Sequence, residues 1–299
     1  MYSYGNTLID QKLGVNNVRQ ASYQIEAAPA FRAGSPEVDT VNLRSKKEIY
    51  IDKLNKLFPD GGIQKVYDKI NQDFGLDRPA HLRFITDNEG VAAGGFTFAK
   101  NEIVLSMSDM LDSDSKVVGI KNGKRVVLTS PKNKLPLIAD KKSAEKFVEQ
   151  YSKFGNLGFD QLVVEPVTED DQRKLIIQKI AHEVVHAQQH MILRQTEGIG
   201  EKEIFKAWTH EKPKNLIEST LLEFKVNNQK SQSYWADKPD TEKTVPANSP
   251  QAALAKIWLE AIRNYPPYDS PEYEKNAIEV DAYERSAQYV KNNYGGWQG

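Results

Sequence analysis

No cysteine occurs in the 299 residues, and that absence removes disulfides, thiolate metal ligands and thiol nucleophiles from consideration. A metal would have to be held by His, Asp or Glu. Charge excess is missing too: 40 basic and 41 acidic residues leave a formal net charge of -1, with no global field to gather nucleic acid or anionic lipid. No apolar run approaches the roughly 18 residues of a membrane-spanning helix. The amino-terminal MYSYGNTLIDQKLGVNNVRQ lacks both the basic cluster and the apolar core of a secretory signal. The expectation is a protein without nucleic-acid or membrane partners, cytoplasmic by default, with signal-free export as the alternative. Oligomeric state is not legible.

What is present is ordinary for a globular chain: 39% apolar and 27% charged residues, enough to build a core. Residues 1–44, rich in Asn, Gln, Ser, Ala and Pro, read as a flexible arm. Order is expected from Ser45, with a helix in KKEIYIDKLNKLFP and another in IQKVYDKINQDFG. HLRFIT, GGFTFA and EIVLSMS then read as strands, with a hairpin turn at Lys100-Asn101. VVGIKNGKRVVLTS reads as a second hairpin, its Asn122-Gly123 suiting a type I′ turn. These segments predict one small antiparallel sheet.

Downstream, SAEKFVEQYSKFG reads as a helix, and Thr168 offers an N-cap to a long one ending near Arg194. Three acidic residues at 169–171 suit the positive end of its dipole. Three more helices follow, the last two opened by Ser249-Pro250 and Ser270-Pro271, with residues 229–248 as a long exposed loop. The expected fold class is α+β, with a small sheet in the first half and a mostly helical second half. Residues 45–299 are expected to form a single catalytic domain after the arm.

The long helix carries IAHEVVHAQQH, in which His182, Glu183 and His186 form an H-E-x-x-H arrangement. Residues four apart stack one turn above each other, so two imidazoles converge on one ion. Glu183, rotated by about 100°, stands beside that ion, where a carboxylate can take a proton from a metal-activated water. His190 lies about 12 Å along the axis from His182, too far to share the ion. The H-E-x-x-H-x-x-G-x-x-H pattern of metzincins fails as well, because Gln189 and Arg194 do not fit it.

A catalytic site of this kind needs a third ligand. His210, Glu218 and Glu223 are candidates, but Glu279 in NAIEVDAYERSA is preferred because Ile278, Ala282 and Tyr289 give its helix a buried face. Tyr283, one turn on, could donate to an oxyanion, and Asp281 could fix the tautomer of a ligand histidine. The expected cofactor is Zn2+, chosen from ligand type.

These residues resemble the zincin metallopeptidases, specifically the gluzincin type, in which H-E-x-x-H on one helix is completed by a glutamate on a later helix. The match rests on two blocks, HExxHxxQ at His182 to Gln189 and N-x-x-E-x-[DE]-A at Asn276 to Ala282. The resemblance implies a zincin-like domain with His182, His186 and Glu279 as zinc ligands and Glu183 as general base. It also implies a peptide or protein substrate, and a sheet edge within GGFTFAKNEIVLSMS that pairs with an extended peptide. A zinc hydrolase of a non-peptide amide, a non-catalytic binding protein of the same fold, and a metal-free structural protein are the alternatives.

Overall fold

A computed structural model describes residues 45–59, 62–86, 94–239, 241–267 and 270–297. The expected arm at 1–44 lies outside them. The first helix, α1 (Lys46–Leu57), opens with a capping box: Ser45 Oγ accepts from the Glu48 N–H, and the Glu48 carboxylate accepts from the Ser45 N–H. It pairs with α2 (Gly62–Asp73), and Tyr50, Leu54, Tyr67 and Ile70 of the two helices enter the main core.

Two sheets stand where the sequence suggested one. The first contains β1 (His81–Ile85), β2 (Gly94–Thr97) and β3 (Glu102–Ser106) in the order β1-β3-β2. The β2-β3 hairpin is antiparallel as expected, turning through the 3-10 segment Phe98–Lys100 and a left-handed Asn101 at φ 47°. β1, however, pairs parallel with β3, so this sheet is mixed. Strand direction depends on how the chain returns between β1 and β2, which alternation within a strand cannot encode.

After the short α3 (Met107–Leu111), the second sheet is built from β4 (Ser115–Lys121), β5 (Lys124–Val127), β6 (Ile138–Ala139) and β7 (Gln161–Pro166). Asn122 and Gly123 both have positive φ, at 50° and 75°, which is what a type I′ turn between β4 and β5 requires. β7 pairs antiparallel with β4 on its other side. The helix α4 (Lys141–Ser152), capped by Asp140, covers this sheet, and Val117, Leu128, Ala144 and Leu162 form a separate small core between them.

The 27-residue α5 (Glu169–Gln195) organises the rest. Thr168 Oγ1 accepts from the Asp171 N–H and Asp171 accepts from the Thr168 N–H, a second capping box. Such a cap contributes about 1 kcal/mol. The same carboxylate receives the buried Lys116 ammonium of β4 at 2.8 Å, tying the second sheet to the helix end. Removing Lys116 alone would strand a buried charge, a loss of roughly 3–5 kcal/mol.

Around α5 lie α6 (Glu201–Trp208), α7 (Leu216–Ser231), α8 (Pro250–Arg263) and α9 (Ala277–Tyr294). Ser249 caps α8 with Pro250 at its first position, as anticipated. Two expectations need correction. The last helix starts at Ala277 rather than Pro271, because the Asn276 side chain, not Ser270, accepts the first free N–H, from Ile278. The chain at 232–248 is irregular but pinned: Trp235 and Val245 are buried, and the Lys243 ammonium donates to the carbonyls of Arg194 and Ile199. Among the described residues no helix is long and apolar enough to cross a membrane.

Candidate metal centre

α5 supplies most of the site. It runs through the core with β2 against one flank and α9 packed along another, so its polar residues are enclosed. His182 and Glu183 are each only 8% exposed, although Ile180, Ala181, Val184 and Val185 beside them are wholly buried. A fully packed helix carrying imidazoles and a carboxylate in its interior requires partners for them.

Glu279 of α9 is the first partner. With Asn276 as N-cap, Glu279 is the third residue of the helix, inside the first turn. Free backbone N–H groups and the positive end of the helix dipole there favour a carboxylate even at 1% exposure. The corrected start of α9 therefore explains how an acid is tolerated so deep.

His182 Nε2 and His186 Nε2 lie 3.1 Å apart, and each is 3.4 Å from an oxygen of Glu279. Among the described residues, His182, His186 and Glu279 form a buried group that could hold a metal ion. Bonds of about 2.05 Å arranged tetrahedrally place donor atoms about 3.3 Å apart. The separation of the two imidazole nitrogens is near that edge length, and the carboxylate faces both, with Oε2 towards His182 and Oε1 towards His186.

The imidazoles are oriented for this. Gln189 Oε1 lies 2.8 Å from His186 Nδ1. An amide oxygen can only accept, so Nδ1 carries a proton there and Nε2 is the nitrogen turned towards Glu279. Gln189 is fixed in turn, its amide nitrogen donating to the Ile278 carbonyl at 3.0 Å and to Asp281 at 2.7 Å. The expected direct contact between Asp281 and a ligand histidine is thus replaced by a relay: Asp281 holds Gln189, and Gln189 holds His186. Gln189 is one turn from His186 on the same helix face, whereas Asp281 reaches only the far end of the amide.

Burial pushes the Glu183 carboxyl up from its ordinary range, against the opposing influence of His182 and His186. The Phe96 N–H of β2 also reaches this carboxylate. Glu279 moves the other way: although burial alone would raise it, the two histidines hold it well below the usual carboxylate range. The two acids are pushed in opposite directions by their surroundings, Glu183 up and Glu279 down.

The remaining candidates are not at the centre. His190 is stacked between Phe98, at 4.7 Å, and Trp208, at 5.5 Å, and burial lowers it to about 3. His210, in a left-handed conformation at φ 56°, packs against Trp208 and Tyr265. Glu218 accepts from the backbone N–H of Lys214 and Glu223 pairs with Lys202 and Lys206, away from His182. Tyr283 does reach the site, its ring 4.4 Å from that of His182. Sequence reasoning missed the role of Gln189, although the spacing of three from His186 was available, and missed Tyr265, whose hydroxyl donates to Glu279 Oε1.

Comparison with known protein families, curated proteins and solved structures finds no match to this chain.

Proposed function

We propose that the protein is a zinc-dependent peptidase of the gluzincin type. The observation that carries this reading is the convergence of the His182 and His186 Nε2 atoms and the Glu279 carboxylate in one buried group, with Glu183 next to His182 on the same helix. Two imidazoles and a carboxylate are a ligand set suited to zinc. A zinc ion bound there supplies a Lewis acid for a substrate carbonyl and lowers the pKa of water towards 7.

The chain's own groups do the rest. Glu183, buried and with a raised pKa, takes the proton of the attacking water and returns it to the leaving amine. Tyr283, beside His182, donates to the oxygen on which negative charge develops. β2 is the edge strand of its sheet, β3 being central, so the backbone at Gly94–Thr97 is the place for an extended peptide to pair. Asp281 and Gln189 keep the His186 lone pair aimed inward.

The test is elemental analysis of dialysed protein alongside turnover of a peptide library. Wild type and Glu183→Gln should each hold about one zinc, while His186→Ala and Glu279→Ala should hold none. Only the wild type should cleave. A wild-type protein without stoichiometric metal, or a Glu183→Gln variant that cleaves normally, would end this reading.

A further inference from the structure

Glu279 is buried among three tyrosines, and two of them form a directional chain onto it. Tyr265, just past the end of α8, places its hydroxyl on Glu279 Oε1. The hydroxyls of Tyr265 and Tyr273 lie 3.2 Å apart, with the rings packed edge to face at 5.6 Å. A phenol has one proton. Tyr265 spends its proton on Glu279 Oε1, so in its contact with Tyr273 the Tyr265 oxygen is the acceptor. Glu279 Oε2 is buried without a hydrogen-bond partner, at 3.4 Å from His182 Nε2, and Oε1 lies 3.4 Å from His186 Nε2.

We propose that Tyr265, oriented by Tyr273, is a positioning residue that anchors Oε1 of Glu279 and so fixes the orientation of the carboxylate towards His182 and His186. The inference rests on the zinc reading above. Holding one oxygen by a phenol prevents the carboxylate from rotating away from the two imidazoles, and so keeps the three ligand groups assembled. The chain also explains the sequence between α8 and α9. Tyr265 and Tyr273 both lie between α8 and α9, so the segment that precedes the start of α9 bears on the carboxylate's orientation too.

Tyr265→Phe removes the hydroxyl and keeps the ring. The experiment uses the full chain, first confirmed folded by circular dichroism, with zinc affinity read by competition with a chromogenic chelator. The visible spectrum of the cobalt-substituted protein reports coordination geometry. Tyr265→Phe should weaken zinc binding roughly 10- to 100-fold, the range for groups that hold a metal ligand, and should alter the cobalt bands as the freed carboxylate changes its orientation. Tyr273→Phe should weaken it only a few-fold, and the double variant should be no worse than Tyr265→Phe, because Tyr273 acts through Tyr265.

An unchanged affinity and cobalt spectrum in Tyr265→Phe overturns the proposal while leaving the zinc site intact. The same unchanged binding with turnover lost overturns it also, and assigns the hydroxyl to the substrate instead. A wild-type protein that binds neither zinc nor cobalt removes the underlying functional reading along with it.

Discussion

α5 and α7 break the usual inside-outside rule in opposite directions. α5 encloses Gln178, Lys179, His182, Glu183, Gln189, His190 and Arg194. α7 instead exposes Leu216 (83%), Ile217 (73%), Leu221 (64%) and Phe224 (75%), and anchors itself through Leu222 and Val226. Buried polar groups and exposed apolar ones are the informative exceptions in a folded chain. Several of the α5 exceptions are answered nearby, Gln189 by His186 and Asp281, Gln178 by Trp297 and Arg194 by Glu201, whereas Nδ1 of His182 and of His190 is buried without a hydrogen-bond partner. The flanking charges of α7 are also closed locally, Glu223 onto Lys202 and Lys225 onto Glu211. The difference is energetic: an answered polar interior is a specified geometry, whereas an apolar side chain in water contributes little to the fold it sits on.

The contrast is broken most sharply at Glu183. Glu183→Gln should lower turnover by roughly 10²- to 10⁴-fold with metal still bound, measured as kcat beside elemental analysis; retained turnover would falsify the assignment of Glu183 as base.

Next in size is His190. Its folded pKa of about 3 lies below the ordinary value of 6.5, so the unfolded state binds the extra proton between those limits. Stability is therefore complete above pH 6.5 and falls as pH drops towards 3, by up to about 1.4 kcal/mol per pH unit from this one group. His190→Phe, which keeps a ring in the stack, should flatten the urea-denaturation profile between pH 6.5 and 4.5. An unaltered slope rejects the neutral buried histidine.

Gln189→Leu removes the amide that serves both His186 and Asp281, and should weaken zinc binding about 10- to 100-fold; competition with a chelator decides, and wild-type affinity would make the relay ornamental. The smallest effect belongs to α7. Leu221→Gln and Phe224→Gln should each change stability by no more than about 0.5 kcal/mol, while the adjacent Leu222→Ala, wholly buried, should lose about 2–5 kcal/mol. Equal losses from Leu221 and Leu222 in chemical denaturation would erase the distinction drawn between the two faces.

Much of this architecture is legible locally. Thr168 with acids at 169–171 marks the start of α5, Asn122-Gly123 marks a turn, and the apolar positions 278, 282 and 289 mark the inner face of α9. Each depends on residues within a few positions of one another. The α+β class and the clustering of His182, His186 and Glu279 follow from such signals. The parallel β1-β3 pairing, the β7-β4 pairing and the contact of Tyr265 with Glu279 join segments whose approach is decided by the path of the chain. Ser270-Pro271 misleads for a related reason: it is a sound cap signal in isolation, but Tyr273 is drawn inward against Tyr265, and the helix waits for Asn276.

The tether between Lys116 and the Thr168-Asp171 cap has a mechanical side. From Asp171 to Glu183 the helix rises about 18 Å, so α5 acts as a lever whose short end is gripped by the second sheet. A rotation of about 5° at the grip moves the far end by about 1.5 Å, more than the roughly 1 Å misplacement that can cost a hundredfold in rate. The second sheet thus contributes none of the three residues of the candidate centre and still bears on its aim.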